Sequence, residues 1–362
     1  MERVRVEVPG RAYDVVVGAG ILAEVGALLP ELARAATAFV VADRAVTDGC
    51  YEPLAASLNE RGLRAVLLTV PSGEQAKTLQ VYGTLLHQLA TQEAHRDDLV
   101  VALGGGAVGD LAGFVASTYM RGMPVLQVPT TLTGQVDAAI GGKTAVNLLE
   151  GKNLVGTFHQ PCLVVADVEV LATLPDRHFQ AGLAEVAKYA LALDLELLEG
   201  LERDPGPVVA RRPEALVPLV SRCAAAKART VAADERDTGQ RLILNYGHTL
   251  GHALERLDAF AGRTHGEAIA VGMEFAARLA EARGVAAPGL LSRTQRLLKG
   301  LGVQTQGELP PADDVVKAFT LDKKFHGGVR FVLLEDVGRP VVVDDVPRDD
   351  VRRILTEMGA AA

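Results

Sequence analysis

Three of the eight histidines of this chain, His248, His252 and His265, lie within eighteen positions of one another. His248 and His252 are four residues apart in the helix-like run HTLGHALERL, so their rings share one helix face, with Cβ atoms roughly 5–6 Å apart. An open zinc site usually has three protein ligands, drawn from imidazole, thiolate and carboxylate groups. Together with His265 and Glu185, these histidines provide enough ligands for such a site. The residue types and spacing therefore predict a metal site, most simply for zinc.

The alternative for this cluster is structural. One or two of the histidines could be core residues or exposed residues on a helix, without any metal. Burying several polar rings that lack compensation is costly, which favours the metal site over the structural alternative.

A glycine-rich turn, GGGAVGD from Gly104 to Asp110, follows an apolar run and opens a helix. Glycines let the backbone approach a phosphate, whose charge is favoured at a helix N-terminus. The ordinary dinucleotide motif has an acidic ribose partner about 20 residues downstream. No acid lies between Asp110 and Asp137. The turn therefore indicates phosphate binding without the standard Rossmann order.

Acidic residues follow two earlier apolar runs. Asp43 closes TAFVVAD, and Glu74 with Lys77 lies in PSGEQAK directly after LRAVLLTV. These are positions at which a ribose could be held. Both acids could also be helix N-caps or first-turn residues, and the two interpretations are compatible.

The elements that position these residues are predicted by hydrophobic patterning. Short apolar runs alternate with amphipathic segments up to about residue 175, which predicts a mostly parallel, nucleotide-binding sheet with helices on its faces. The predicted strands cover residues 37–43, 63–70, 98–106, 124–131 and 161–168. Ligands of such sheets bind at the carboxyl ends of the strands.

Beyond residue 175 the sequence changes to long Ala, Leu and Glu-rich segments with a period of 3.6 residues, which predicts helices. Residues 330–343 contain two β-rich runs and predict a small hairpin within this helical part. We therefore expect an α/β domain over residues 1–175 and a mainly α-helical domain over residues 176–362.

Composition excludes several functional classes. The net charge of -8 argues against a nucleic-acid partner. There is no uninterrupted apolar run of the roughly 18 residues that span a membrane, and the charged start MERVRVEV does not resemble a signal peptide. The three cysteines are widely spaced and predict neither a disulfide framework nor a thiolate metal site. We expect a cytoplasmic protein without membrane partners.

Several long motifs, in the same order along nearly the whole chain, resemble those of the 3-dehydroquinate synthases, which belong to the sugar-phosphate cyclase superfamily. They are VPTTLTGQVDAAIGGKTAVN (Val128 to Asn147), GKNLVGTFHQP (Gly151 to Pro161), AEVAKY (Ala184 to Tyr189), RLILNYGHTLGHALE (Arg241 to Glu255), HGEA (from His265) and DKKFHGGVRFVLL (from Asp322).

This resemblance implies a role for each matching residue. It implies a divalent metal, zinc or alternatively cobalt, bound by Glu185, His248 and His265, which leaves His252 for substrate binding and proton transfer. The implied NAD contacts are Asp43, Ser72, Gly73, Glu74, Lys77, Gly106, Ala107, Val108, Gly109, Asp110, Thr130, Thr131, Lys143, Lys152 and Thr173. The implied substrate and catalytic residues, besides His252, are Arg121, Asp137, Lys143, Asn153, Lys188, Lys227, Arg241, Asn245, and one or both of Lys323 and Lys324.

The reaction that the resemblance implies is a step of the shikimate pathway, in the biosynthesis of chorismate and aromatic amino acids. It converts 3-deoxy-D-arabino-heptulosonate 7-phosphate to 3-dehydroquinate and phosphate by transient oxidation with NAD, phosphate elimination, re-reduction and aldol closure. The partner is thus a small phosphorylated sugar acid, and a homodimer is expected. An acidic protein needs local cations for such a substrate. For any one of these cations, the alternative is a solvated helix charge, and Glu185 with Lys188 could be a surface ion pair.

Two other activities remain open. A sister cyclase acting on sedoheptulose 7-phosphate would lack the substrate carboxylate and change the residues that bind it, whereas Arg121, Asn245 and His252 follow the dehydroquinate synthase pattern. An NAD-dependent polyol dehydrogenase shares the layout but would release NADH. A non-catalytic NAD or metal sensor would have lost residues of the chemistry, and none is missing.

Overall fold

The computed structural model describes residues 1–32, 34–258, 262–305, 307–320 and 329–361. The chain forms two compact units: unit 1 consists of residues 1–174 and 211–236, and unit 2 of residues 175–210 and 237–362. The segment 211–236 therefore packs in unit 1, although it follows the sequence boundary near residue 175. Within the described ranges no helix is both long and apolar enough to cross a membrane.

Unit 1 contains nine strands and five helices in its described residues. The strands are β1 (Glu2–Val6), β2 (Tyr13–Gly18), β3 (Thr37–Asp43), β4 (Arg64–Val70), β5 (Leu99–Gly104), β6 (Val125–Pro129), β7 (Lys143–Leu148), β8 (Gly151–Phe158) and β9 (Leu163–Asp167). The helices are α1 (Val25–Leu28), α2 (Thr47–Glu60), α3 (Leu79–Thr91), α4 (Gly106–Thr118) and α8 (Pro213–Ala233).

Seven of these strands form one sheet in the order β1-β2-β9-β6-β5-β3-β4. Every pairing is parallel except that of β1 with β2, which is antiparallel. The predicted strands β3, β4, β5, β6 and β9 are confirmed as its parallel part. Strands β1 and β2 and the separate hairpin β7-β8 are not among the predicted strands.

Both faces of this sheet are buried, and alternate residues of each strand enter different cores. Val40 and Val101 belong to a core that includes Leu54 of α2. Val41 and Val100 belong to a second core that includes residues of α3 and α4. This double burial explains why the sequence shows continuous apolar runs rather than strict alternation.

Unit 2 is mainly helical in its described residues. Its helices are α5 (Asp176–Leu193), α6 (Leu195–Arg203), α7 (Gly206–Val209), α9 (His248–Leu257), α10 (His265–Ala282), α11 (Leu290–Gly300), α12 (Ala312–Thr320) and α13 (Arg348–Glu357). Strands β10 (Val329–Asp336) and β11 (Arg339–Val346) pair antiparallel. The predicted hairpin and the predicted helical character are confirmed.

Helix α10 is the centre of unit 2 and packs against α5, α9, α11 and β10. Its glycines allow the backbones of α10 and its neighbours to come close together. A Cβ at Gly272 would lie 1.8 Å from the carbonyl oxygen of Gly247, and a Cβ at Gly266 would lie 2.2 Å from the Cα of Ala181. No larger residue fits at either point, so these glycines set the spacing of three helices.

The substitution Gly272→Ala is expected to destabilise the protein because the added methyl group must push α10 away from the residue preceding α9. Overpacking of this kind costs about 1–3 kcal/mol. The matched control is Gly200→Ala in α6, where a Cβ meets nothing within 4 Å and a helical Gly-to-Ala change gains about 0.5–1 kcal/mol. Urea denaturation measures both. Equal midpoints for Gly272→Ala and wild type would contradict this account of the helix contact.

Candidate active site

The start of α10 is held by its own cap and by an ion pair with α5. The Thr264 hydroxyl accepts from the backbone N–H of Glu267 at 3.2 Å, and the Glu267 carboxylate accepts from the backbone N–H of Thr264 at 2.7 Å. This is a capping box. Arg177 of α5 donates to both oxygens of Glu267 at 2.8 and 2.9 Å. His265, the first residue of α10, is therefore fixed relative to α5.

Glu185, His248 and His265 converge from α5, α9 and α10. Glu185 Oε1 lies 3.1 Å from His265 Nε2 and 3.6 Å from His248 Nε2. One potential ligand atom from each of the three residues lies within 4.8 Å of the others. Glu185 is 1 % exposed, so a carboxylate far apart in sequence from both histidines is buried against them.

The other nitrogen of each imidazole has an oxygen acceptor. His248 Nδ1 lies 3.1 Å from the carbonyl oxygen of Tyr246, and His265 Nδ1 lies 3.0 Å from Glu255 Oε2. Histidines that bind metals typically use this arrangement, in which the second ring nitrogen donates to a carbonyl or carboxylate. Two imidazole nitrogens and one carboxylate oxygen fit a divalent metal with an open position.

Electrostatics at the cluster favour positive charge. Burial alone would raise the pKa of the Glu185 carboxyl, but the charge of Lys188 and the bonds with both histidines hold that pKa well below its usual range. Burial lowers the pKa of His265, yet Glu185 and Glu255 outweigh burial and raise it to about 10. Burial also lowers the pKa of His248 despite Glu185 beside it. A bound cation would be stabilised by the same carboxylates.

His252 lies beside this cluster on the same face of α9 as His248. Its ring centroid is 5.3 Å from that of His248 and 6.0 Å from that of His265. Its potential ligand atoms group with Glu255 and His265, whereas those of His248 group with Glu185 and His265. His252 is exposed. The shared helix face inferred from spacing is thus present, but the two histidines belong to different donor groups.

Lys188, Arg241 and Asn245 are the other predicted substrate residues in the described part of unit 2. Lys188 Nζ lies 2.6 Å from Glu185 Oε2, and the two side chains are 3 % and 1 % exposed. The alternative of a surface ion pair is therefore wrong. Arg241 is buried, and Asn245 ends the short 3-10 helix Gln240–Asn245 that leads to α9. Lys323 and Lys324 lie outside the described residues.

In unit 1, Asp43 and the loop after β4 meet at the carboxyl edge of the sheet. Asp43 Oδ1 accepts from the Ser72 hydroxyl at 2.5 Å, and Oδ2 accepts from the Gly73 backbone at 3.4 Å. Asp43 also accepts from the backbone N–H of Ala45 at 2.9 Å. The first acid therefore holds a turn, and Glu74 lies in the first turn of the short helix Gly73–Ala76. The first-turn interpretation is therefore confirmed for Glu74, whereas Asp43 neither caps a helix nor lies in a first turn, because α2 begins at Thr47 after Val46.

The glycine-rich turn lies at the same edge. Helix α4 starts at Gly106, directly after β5, and its first turns contain Ala107, Val108, Gly109 and Asp110. A Cβ at Gly106 would lie 2.9 Å from that of Ala138. Three predicted threonines follow other strands of the sheet: Thr130 and Thr131 follow β6, and Thr173 ends the 3-10 helix after β9.

A hydrogen-bond chain connects the 73–77 loop to the hairpin β7-β8. Lys77 Nζ contacts Asp110 Oδ2 at 2.6 Å and Asn153 Oδ1 at 2.5 Å. Asn147 accepts from the Asn153 backbone at 3.0 Å and donates to Glu74 Oε2 at 2.7 Å. The backbone N–H of Asn147 also donates to the Lys77 carbonyl at 2.8 Å. Three predicted residues, Glu74, Lys77 and Asn153, thus contact Asn147, which the sequence analysis did not single out, and Asp110 joins them through Lys77.

Lys227 extends from α8 to Asp137, with Nζ and Oδ1 2.9 Å apart. The Lys227 side chain is 6 % exposed. This contact lies within unit 1 because α8 packs against β1, β2 and the turn that contains Asp137. Lys143 is the first residue of β7 and Lys152 the second residue of β8, and Arg121 ends the turn after α4 with a φ of 65°.

Comparisons with known proteins identify the family. The family model described as the N-terminal part of 3-dehydroquinate synthase matches residues 67–181, and the model of its C-terminal part matches residues 182–325. The chain belongs to the 3-dehydroquinate synthase family. It is 41 % identical to the 3-dehydroquinate synthase of Rhizobium meliloti (strain 1021), over 98 % of this chain and 96 % of that protein.

Two solved structures of related cyclases share the fold. A 2-deoxy-scyllo-inosose synthase complexed with carbaglucose-6-phosphate, NAD+ and Co2+ has a TM-score of 0.89 at 29 % identity, covering 98 % of this chain and 99 % of that one. The 2-epi-5-epi-valiolone synthase of Streptomyces hygroscopicus subsp. jinggangensis 5008, with NAD+ and Zn2+ bound, has a TM-score of 0.85 at 31 % identity, covering 96 % of each chain.

Removal of one donor tests the cluster directly. His265→Ala leaves only Glu185 and His248, so we expect zinc affinity to fall by more than the roughly 10–100-fold typical of losing an outer hydrogen-bond partner. Competition with a chromophoric chelator measures it. The control is His178→Ala, which removes an exposed histidine from α5, the helix that carries Glu185. Unchanged zinc affinity in His265→Ala would exclude this cluster as the metal site.

Proposed function

We propose that this protein converts 3-deoxy-D-arabino-heptulosonate 7-phosphate to 3-dehydroquinate and phosphate. The observation that carries the proposal is the convergence of buried Glu185, His248 and His265 in a chain that matches both family models. The identity of 41 % extends over nearly the full length of a curated synthase. Elimination of phosphate with cyclisation makes the activity that of a lyase.

We propose that Glu185, His248 and His265 hold zinc, with cobalt as a possible substitute. Two imidazoles and one carboxylate suit zinc, and the related cyclases were crystallised with Zn2+ or Co2+. A bound divalent cation supplies Lewis acidity, which lowers the pKa of a coordinated hydroxyl group. The Tyr246 carbonyl oxygen and the Glu255 carboxylate lie at hydrogen-bond distance from Nδ1 of His248 and of His265, respectively.

We propose that NAD binds to the segment 1–175 and that residues 176–362 provide most metal and substrate contacts. Asp43, Glu74 and the turn from Gly106 to Asp110 lie at the carboxyl edge of the parallel sheet, where such folds bind nucleotides. NAD takes up a hydride from the substrate and returns it, so no net NADH is expected. The hairpin with Lys143, Lys152 and Asn153 is held to this edge through Asn147.

The chain's own groups then bind and orient the substrate and move protons. His252 is exposed beside the donor cluster and is suited to proton transfer, which typically contributes about 10²–10⁴-fold. Lys188, Lys227 and Arg241 are buried cations suited to the carboxylate and phosphate of the substrate. Their burial keeps them in place before the substrate binds.

A homodimer and a cytoplasmic location complete the proposal, and both rest on the resemblance. Size-exclusion chromatography with light scattering tests the dimer. A sister cyclase remains the second candidate because its fold is the same at 29–31 % identity. The higher identity to a dehydroquinate synthase and the retained Arg121, Asn245 and His252 favour the first activity.

Product analysis with the purified protein tests the function, and His252→Ala tests the mechanism. With the heptulosonate phosphate, catalytic NAD and zinc, we expect phosphate and dehydroquinate without net NADH. His252→Ala is expected to lower kcat by about 10²–10⁴-fold with unchanged zinc affinity, and His178→Ala to leave both unchanged. Turnover of sedoheptulose 7-phosphate alone would indicate a sister cyclase, and accumulating NADH a dehydrogenase.

Asn147→Ala is expected to weaken NAD binding because Glu74 and the hairpin lose their common partner. A hydrogen bond to a charged group contributes about 1.5–3 kcal/mol, and 1.4 kcal/mol corresponds to tenfold in affinity. We expect NAD affinity, measured by calorimetry without substrate, to fall roughly 10- to 100-fold. The control Asn59→Ala removes a side chain that accepts from the backbone N–H of Ala65 at 3.2 Å, far from Glu74 and the hairpin in sequence. Equal NAD affinity of wild type and Asn147→Ala would refute the coupling.

A further inference from the structure

His265 belongs to two groups of potential metal ligands. One group is Glu185, His248 and His265, and the other is His252, Glu255 and His265. The two ring nitrogens of His265 contact different carboxylates: Nε2 lies 3.1 Å from Glu185 Oε1, and Nδ1 lies 3.0 Å from Glu255 Oε2. The structure therefore poses the question of which carboxylate is a ligand and which has another role.

The two nitrogens of a neutral imidazole have different roles, and these roles distinguish the two carboxylates. One nitrogen carries a proton and donates, and the other has the lone pair that binds a metal. If Nε2 of His265 binds the metal beside Glu185, its proton is on Nδ1 and needs an acceptor. Glu255 provides that acceptor. His248 shows the same arrangement with a neutral acceptor, since its Nδ1 faces the Tyr246 carbonyl oxygen at 3.1 Å.

The position of Glu255 on α9 is consistent with a role behind the ligand. It is seven residues after His248, two helical turns along the same face, and its side chain is only 8 % exposed. A buried carboxylate is costly without compensation, and the Nδ1–H of His265 is a donor at hydrogen-bond distance. The charge of Glu255 also increases the basicity of the imidazole that it contacts.

We propose that Glu255 is a positioning residue that holds the proton of His265 on Nδ1 and so directs the Nε2 lone pair to the metal. This inference rests on the proposed metal site. Glu255 thereby selects one of the two donor groups as the metal site. The second group, with His252 and Glu255, then acts as support and proton relay rather than as a second metal site.

Two substitutions separate the charge of Glu255 from its hydrogen bond. Glu255→Gln keeps an oxygen acceptor for Nδ1–H but removes the negative charge, whereas Glu255→Met removes both at similar length. The control is Glu202→Gln, which removes a charge from the surface ion pair with Arg293, 2.8 Å away in the same unit. Circular dichroism and thermal unfolding of the metal-free proteins verify that each variant folds.

Zinc affinity and stoichiometry are measured by competition with a chromophoric chelator, and the visible absorption bands of the Co(II) form report the ligand field. We expect Glu255→Gln to weaken zinc binding about 10–100-fold, Glu255→Met to weaken it further, and both to shift the Co(II) bands. One equivalent of zinc should bind in every case. Glu202→Gln should match wild type in both measurements.

Three results would overturn the inference. Wild-type affinity and Co(II) bands in both Glu255 variants would show that Glu255 does not act on the metal site. A second zinc equivalent in wild type that Glu255→Gln removes would make Glu255 a ligand. Absence of zinc binding in wild type would refute the proposed metal site itself, and this failure is distinguishable because it is observed before any substitution.

Discussion

Burial of the Glu185 carboxylate is the constraint on which unit 2 depends. A carboxylate that is 1 % exposed requires cationic or hydrogen-bonding partners, since its desolvation is otherwise prohibitive. Lys188 Nζ lies 2.6 Å from one oxygen as an ion-pair partner, and the imidazoles of His248 and His265 face the other. Helices α5, α9 and α10 must therefore approach closely enough for all four groups to meet. The contacts at Gly266 and Gly272 make that approach possible, so the small residues of the helix interface and the polar cluster form one arrangement.

Unit 1 meets a different constraint, which is to fix the loops at the ends of buried strands. The strand ends themselves are fixed by the parallel sheet, but the loops that follow β4 and β6 require further ties. Asp43 anchors one loop through Ser72 and Gly73, and Asn147 anchors the hairpin to Glu74 and Lys77. Side chains with no proposed ligand contact, such as Asn147, thus help to position residues of the candidate site.

The sequence predicted the parallel strands, the helical second half and the hairpin β10-β11, because hydrophobic periodicity reflects burial directly. It did not predict β1, β2 or the hairpin β7-β8. Strand β8 is largely exposed and mixes polar residues with glycine, so periodicity gives little signal there. The helix-like sequence around Leu193 forms two helices, α5 and α6. The helical run breaks at Asp194, whose side chain caps α6 by accepting from the backbone N–H of Leu197.

For the site, spacing identified the histidines but could not decide which would share a donor group, because His248 and His252 lie on one face of α9. That decision depends on where α5 and α10 pack against α9, which the spacing within α9 does not determine. Glu255 and Asn147 were missed because each acts through another residue. The sequence did contain a signal for Glu255, because an acid seven residues after His248 lies two helical turns away on the same helix face. For Asn147 the signal was its position at the end of one of the longest motifs that resemble the family.

Three buried lysines, each proposed to bind substrate or cofactor, are paired with a carboxylate. The protein is acidic overall, yet Lys77, Lys188 and Lys227 are each nearly buried, with side chains 4 %, 3 % and 6 % exposed. Each contacts one carboxylate: Asp110, Glu185 or Asp137. The carboxylates therefore fix these lysines in position, so that donors for an anionic ligand would need no reorganisation.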